Sequence, residues 1–162
     1  MNRNKYLILL AAAVVAALAI TYWPKKSEGY NPNTDKALQA AFEASARGEA
    51  LRKLVAETPE AEQRDMAYLI INMPEHDREA MDLELLKENV TYANIARGKY
   101  AWAKELPEDV YLCDVLPYCV VDEVRDSWRK ELYEMFSPAV DTCKTMYDAI
   151  CAVNANIPAL TG

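Results

Sequence analysis

One histidine and four cysteines are the side chains in this sequence best suited to nucleophilic chemistry. His76 lies in the polar run MPEHD, and the cysteines stand at positions 113, 119, 143 and 151. A thiol nucleophile needs a base within hydrogen-bond reach and a third group that orients the base. A single histidine in a polar run is more typical of a solvated side chain. The residues therefore predict no catalytic site, unless the fold brings His76 against a cysteine.

The spacing of the cysteines does not favour a metal site. Five residues separate Cys113 from Cys119, and seven separate Cys143 from Cys151. Structural zinc sites usually place paired ligands two to four residues apart. We therefore expect no metal site and no cofactor, and we expect the cysteines to be either buried or disulfide-bonded.

The same four cysteines allow three disulfide pairings. If Cys143 and Cys151 share a helix, their Cα atoms lie about 12 Å apart, beyond the roughly 7 Å that a disulfide spans. Pro117 can bend the chain between Cys113 and Cys119. Because disulfides form in oxidising compartments, we predict a Cys113–Cys119 bond if the protein is exported. Four free thiols are the alternative.

Carboxylates also cluster in the sequence, at Asp114, Asp122, Glu123 and Asp126. A general acid and base pair would require two of them to face one cleft with separated pKa values. The simpler interpretation is structural. Asp122 is predicted to cap a helix, and Glu123 and Asp126 to complement the positive N-terminal end of that helix.

The distribution of charge excludes one class of partner. Residues 1–26 carry four basic side chains and no acidic one, so the rest of the chain has 14 basic and 25 acidic side chains. Binding to nucleic acid requires a basic surface that neutralises phosphates. We therefore expect no nucleic-acid partner.

The N-terminus has the features of a membrane segment. Residues 6–23, YLILLAAAVVAALAITYW, contain no charge, and as a helix they would span roughly 27 Å, close to the thickness of the bilayer core. Basic residues precede the run, aromatic residues end it, and Pro24 follows. Residues 1–26 are thus predicted to be a signal-anchor that holds the body outside the cytoplasm at the inner membrane. The alternative is a signal peptide cleaved near Ala19, which would give a secreted protein.

The remaining residues predict an all-α protein with an irregular proline-containing segment. Residues 27–34, SEGYNPNT, have the composition of a linker, and residues 35–162 are predicted to form a small multi-helix domain. Thr34, Thr58 and Asp82 are predicted helix caps. Pro107 and Pro117 interrupt the stretch between Lys99 and Asp122. The predicted inward-facing residues of the first helices are Leu38, Ala41, Phe42, Leu51, Leu54, Val55, Met66, Leu69, Ile70, Met73, Leu86, Val90, Ala93 and either Ile95 or Ala96.

Two further helices are predicted after the irregular segment. Val124, Trp128, Leu132 and Phe136 recur at a spacing of four, which is typical of one buried helical face. The run from Thr145 to Asp148 has the form of a capping box that opens a last helix containing Ile150 and Val153.

The segment 112–136, LCDVLPYCVVDEVRDSWRKELYEMF, resembles the region that precedes the catalytic core of bacterial transglutaminase-like proteins. A weaker resemblance covers about residues 58–155 and includes the stretches NMPEHD, LLKENV, WAKELPEDV and VDTCKTMYDAICAVN. The residues that match the family pattern are Leu116, Pro117, Tyr118, Glu123, Arg125, Asp126, Trp128, Arg129, Phe136 and Asn154.

The resemblance implies a helical leader without catalytic residues of its own. In that family a Cys, a His and an Asp lie in an α/β core that follows this region, and no stretch of this sequence matches that core. The chain is then expected to be a shortened member or a fragment, inactive alone. Tyr118, Glu123, Arg125 and Arg129 are predicted to form a surface on which the absent core docks. The alternative is a free-standing exported helical module that binds a protein or peptide without catalysis.

The membrane segment leads to a first testable prediction. If residues 6–23 are retained as an anchor, the protein stays in the membrane fraction after carbonate washing, because apolar burial does not depend on pH or salt. Mass spectrometry of the N-terminus provides the check. A mature protein that begins at Ile20 would show that the segment is a cleaved signal.

Overall fold

The computed structural model describes residues 29–120 and 123–161, with side chains through Ile157, and this part of the chain is helical without any strand. The predicted all-α class is therefore confirmed for these residues. The α-helices are α1 Lys36–Glu43, α2 Gly48–Glu57, α3 Gln63–Asn72, α4 Glu75–Ala80, α5 Leu83–Lys99, α6 Ala101–Lys104, α7 Glu108–Val110, α8 Arg129–Val140 and α9 Met146–Thr161.

Helices α1, α2, α3 and α5 pack together around one hydrophobic core. Each contributes one apolar face, as the recurrence of apolar residues every three or four positions predicts. Leu38, Leu51, Met66, Ile70 and Leu86 are almost completely buried. Ile95, one of the two alternatives for the end of the α5 face, is instead 42% exposed.

Side chains at the helix ends set the turns between these helices. Asp82 caps α5 as predicted, accepting the backbone N–H of Glu84 at 3.0 Å. The cap of α1 is Asp35 and not Thr34, because the Asp35 carboxylate accepts the N–H groups of both Ala37 and Leu38. Thr34 belongs to the short 3-10 turn Pro32–Thr34.

Thr58 also differs from its predicted role as an N-cap. Its hydroxyl donates to the carbonyl of Leu54 at 2.8 Å, which also accepts the N–H of Thr58, so Thr58 belongs to the end of α2 and not to the start of the next helix. A 3-10 turn, Glu60–Glu62, lies between Pro59 and α3. The hydroxyl points back along the chain because Thr58 is buried against α2, where the C-terminal carbonyls need donors.

The described part of the predicted linker packs against the domain. Tyr30 is partly buried against the hydrophobic core, and its hydroxyl donates to Asp35 at 2.8 Å. The predicted membrane segment, residues 6–23, lies outside the described residues. Among the helices that are described, none is both long enough and apolar enough to cross a bilayer.

The segment after Lys99 is irregular, as its prolines predict. It contains the short helices α6 and α7, followed by the π-helical turn Tyr111–Val115. Tyr111 is fully buried, and its hydroxyl donates to Asp65 at 2.9 Å. Asn94 donates to the same carboxylate at 2.8 Å, so α3, α5 and the π-helical turn share one buried polar contact.

The predicted apolar face at residues 124, 128, 132 and 136 is wrong. Helix α8 begins at Arg129, Val124 is 77% exposed and Leu132 is 41% exposed. The polar groups of this segment, not its spacing of apolar residues, decide which side faces the protein, as the next subsection describes. Asp122, the predicted cap, lies outside the described residues.

The last helix begins as predicted. The Thr145 hydroxyl accepts the backbone N–H of Asp148 at 3.1 Å and donates to its carboxylate at 2.7 Å. Helix α9 packs on α8, with Ala149 buried, while Ile150 is more than half exposed. These two helices form the C-terminal end of the described fold, and α8 joins it to α5.

Leu86 is fully buried in the core, whereas Leu132 on α8 is 41% exposed. This contrast gives a second prediction. Leu86→Ala is expected to lower the free energy of unfolding by about 2–5 kcal/mol, because it empties a fully buried site. Leu132→Ala on α8 is expected to cost under about 1 kcal/mol. Urea unfolding of the full chain in detergent micelles, followed by circular dichroism, measures both. Equal losses would contradict the exposed position of Leu132.

Candidate binding surface

The residues between the π-helical turn and α8 lie across the helical core as a strap. We use this name for residues 116–120 and 123–128, which form no regular secondary structure. A segment without regular backbone pairing needs side chains to hold it in place. Three side chains near its end, Arg125, Trp128 and Arg129, supply these contacts.

Arg129 makes the densest set of contacts. Its Nε donates to the Asn89 side chain on α5 at 2.6 Å, and Nη2 donates to the carbonyls of Val115 and Pro117 at 2.8 and 2.9 Å. Asn89 in turn donates to the carbonyl of Leu116 at 2.8 Å. Burial of the guanidinium lowers the pKa of Arg129 to about 10. The group remains charged at neutral pH, where the carbonyl oxygens stabilise it.

A second anchor forms around Asp77 on α4. Its carboxylate accepts the Tyr118 hydroxyl at 2.7 Å and the Arg125 guanidinium at 3.1 Å. Burial raises the pKa of Asp77, but the hydrogen bonds from Tyr118 and Arg125 and the positive charge of Arg125 outweigh burial, so the pKa lies below its usual value. The ionised carboxylate therefore holds both ends of the strap.

Trp128 links the two anchors. Its indole N–H donates to the carbonyl of Tyr118 at 2.8 Å, and the Arg129 guanidinium lies 4.6 Å from the centre of its ring. The Ser127 hydroxyl donates to Glu88 on α5. Arg125, Ser127 and Arg129 thus bond to the core helices, and Val124 and Leu132 face outward.

The predicted docking surface consists of Tyr118, Glu123, Arg125 and Arg129. These residues lie in one region, but most of them bind partners within the protein. Tyr118 is 5% exposed, and both Arg125 and Arg129 donate to partners within the protein. Glu123 is exposed, and its carboxylate accepts the backbone N–H of Val120 at 2.8 Å. Three of the four therefore hold the strap, and docking of a core on them stays a prediction.

A groove lies between the outer side of the strap and α8. It has a volume of about 520 Å³, and its lining residues are Val120, Glu123, Val124, Asp126, Trp128 and Leu132. Val120 and Val124 are 66% and 77% exposed, which is unusual for apolar side chains grouped on one face. The sequence pattern placed Val124, Trp128 and Leu132 in the core, so the groove was missed. Its two acidic residues, Glu123 and Asp126, are exposed.

The cysteines are free thiols in this structure. Cys113 is exposed and lies 3.3 Å from the Tyr68 hydroxyl, while Cys119 lines a smaller cavity of about 250 Å³ beside Tyr68. Burial raises the pKa of Cys119, which disfavours the reactive thiolate. The predicted Cys113–Cys119 disulfide is not formed here, and its formation in an oxidising compartment stays a prediction.

His76 is exposed at the start of α4, with Nε2 3.2 Å from Asp77 Oδ1. No hydrogen bond joins it to a cysteine in the described part of the chain. Residues 29–120 and 123–161 also contain no group of three or more His, Cys, Asp or Glu side chains placed to bind a metal ion.

No family of related sequences, no curated protein and no solved structure matches this chain. The resemblance to transglutaminase-like proteins consequently rests on the residues quoted for it and stays a hypothesis. The case for function then depends on the physical properties of the groove and the strap.

The lowered pKa of Asp77 gives a third prediction. A carboxylate with a native pKa below its unfolded value stabilises the fold above the unfolded pKa, about 3.9, and loses that contribution as the pH falls through the native pKa. Asp77→Asn is therefore expected to cost about 1–3 kcal/mol at pH 7 and less at low pH. Urea unfolding between pH 7 and pH 3 measures this difference.

Asp109→Asn is the matched control, because Asp109 is an exposed carboxylate on α7. This variant should follow the wild-type stability at every pH. A loss for Asp77→Asn that is the same at pH 7 and pH 3 would show that the ionised carboxylate does not hold the strap.

Proposed function

We propose that this protein is a membrane-tethered, exported helical module that binds a protein partner and performs no catalysis itself. Residues 6–23 provide the tether in this proposal, and the groove beside the strap provides the binding surface. The observation that carries it is the exposure of Val120, Val124 and Leu132 around one groove. Exposed apolar groups of this kind mark interaction sites in soluble domains.

The way in which the groove is held supports this function. The strap has no secondary structure of its own, yet Arg125 and Arg129 hydrogen-bond it to α4 and α5. A surface that is fixed before binding loses less conformational entropy when a partner arrives. The ion pair and hydrogen bonds therefore stabilise a shape in which apolar side chains remain available to a partner.

The transglutaminase-like leader is a specific form of the same proposal, in which the partner is a catalytic core. Its support is the sequence resemblance, and several of the residues that carry the resemblance, Tyr118, Arg125 and Arg129, are those that hold the strap. In this form too, no hydrogen bond pairs His76 with a cysteine in the described part of the chain. We accordingly expect no transamidation or peptide hydrolysis from the 162-residue protein alone.

Photo-crosslinking in the cells that produce the protein tests the proposal. A photoreactive phenylalanine analogue placed at Val124 should form a discrete adduct with one protein, because this side chain borders the groove. The adduct should disappear when Leu132 is also changed to Glu, since a buried charge opposes apolar contact. Gel electrophoresis and mass spectrometry identify the adduct.

Ile95 provides the matched control position, because it is an exposed apolar residue on α5 outside the groove. The analogue at Ile95 should not form the same adduct. Identical adducts from both positions, or none from Val124, would contradict a binding groove at the strap. Transamidation by the purified chain would contradict the non-catalytic part of the proposal.

A further inference from the structure

We infer that the partner of the groove is a protein segment that places apolar side chains next to lysine or arginine. This inference rests on the proposed function and adds the chemistry that the partner must have. The partner must supply apolar side chains because Val120, Val124 and Leu132 are exposed to water, and burying them against apolar groups is favourable. The partner must supply a basic side chain because the charged residues that line the groove are acidic.

Both charged residues that line the groove are acidic. Glu123 and Asp126 are exposed there, and neither lysine nor arginine is among the lining residues. Arg125, the basic residue of the strap, donates through Nε and Nη2 to Asp77 on the core side and through Nη1 to the backbone carbonyl of Glu123, and it makes no ion pair with the Glu123 carboxylate. The two carboxylates are therefore not neutralised by an ion pair within the described residues, and a basic group of a partner would complement them.

The geometry of Glu123 makes its charge part of the groove. One carboxylate oxygen accepts the backbone N–H of Val120 at 2.8 Å, which fixes the side chain beside the exposed valines. The other oxygen makes no hydrogen bond within the described part of the chain. A lysine or arginine of the partner could bind this oxygen while a neighbouring apolar side chain of the partner contacts Val124. The groove therefore selects a segment that has both a basic and an apolar side chain.

The overall charge disfavours a second copy of this chain as the occupant. After residue 26 the chain carries 14 basic and 25 acidic side chains, a difference of −11 from 14 − 25. Two such bodies repel each other, and an isologous contact would bring the acidic rims of both grooves together. A basic partner would instead be attracted to this surface over distances of about one Debye length, roughly 8 Å at physiological salt.

Three fluorescent peptides of equal length test the inference with the full chain in uncharged detergent micelles. Their central sequences alternate Lys with Leu, Glu with Leu, and Lys with Ser. Fluorescence anisotropy should show that the Lys-Leu peptide binds at least about fivefold more tightly than either of the others, since only it offers both chemistries. Its binding should weaken at least about threefold between 50 and 500 mM salt.

Variants locate this binding on the protein. Val124→Ser combined with Asp126→Asn should weaken the Lys-Leu peptide at least about fivefold, because it removes one apolar and one acidic group from the groove. Ile95→Ser combined with Glu105→Gln removes an exposed apolar and an exposed acidic side chain elsewhere, and should leave affinity unchanged. Both altered sites are exposed, so circular dichroism should show the wild-type fold for each variant.

The other outcomes overturn the inference in distinct ways. The proposed partner chemistry would be wrong if no peptide binds or if the Glu-Leu peptide binds as tightly as the Lys-Leu peptide. It would also be wrong if the two double variants lose equal affinity. Sedimentation showing a dimer that the groove variant dissociates would make a second copy the occupant. A Val124 crosslink to a partner segment without lysine or arginine would overturn this inference and leave the protein-binding function in place. Absence of any crosslink from Val124 would contradict the protein-binding function itself.

Discussion

The buried guanidinium of Arg129 is the contact on which the arrangement of the C-terminal half depends. It joins Asn89 of α5 to the carbonyls of Val115 and Pro117, at the residue where α8 begins. The charge remains in place although burial lowers the pKa to about 10. Removing it would leave the Val115 and Pro117 carbonyls and the Asn89 side-chain oxygen without this donor in a partly buried region, which costs more than an exposed hydrogen bond contributes. Arg129 thus ties the π-helical turn and the start of α8 to α5, while Asp77 and Trp128 hold the rest of the strap.

This contact also explains why the apolar residues of the segment face outward. Arg125 and Arg129 bind partners on the core side, and the Trp128 indole turns to the Tyr118 carbonyl. A helix that began before Arg129 would have to carry these groups on more than one face. The chain instead stays irregular through residue 128, and Val124 is left on the outside. The groove is therefore a consequence of satisfying buried polar groups, which outweighs the burial of two or three apolar side chains here.

The sequence predicts those features that depend on neighbouring residues. The Asp82 cap, the Thr145–Asp148 capping box and the buried faces of the first helices all arise within one or two helical turns, and the structure confirms them. The predicted Thr34 cap was wrong because Asp35, also a good capping residue, follows it directly. The start of α8 and the groove could not be predicted, because Arg129 binds Asn89 and Arg125 binds Asp77, which lie 40 and 48 residues away. Spacing of apolar residues contains no information on such distant polar partners.

A role in binding fits the balance of forces at the groove. An irregular segment with exposed valines would normally fluctuate, and an apolar partner would then have to order it at the cost of conformational entropy. The two anchors at Asp77 and Asn89 lower this cost because they hold the segment against α4 and α5. The exposed side chains Glu123 and Asp126 add negative charge beside these valines, which disfavours contact with another copy of the same acidic protein. A groove with exposed valines beside Glu123 and Asp126 fits the basic apolar partner that we propose better than it fits a second copy of this acidic chain.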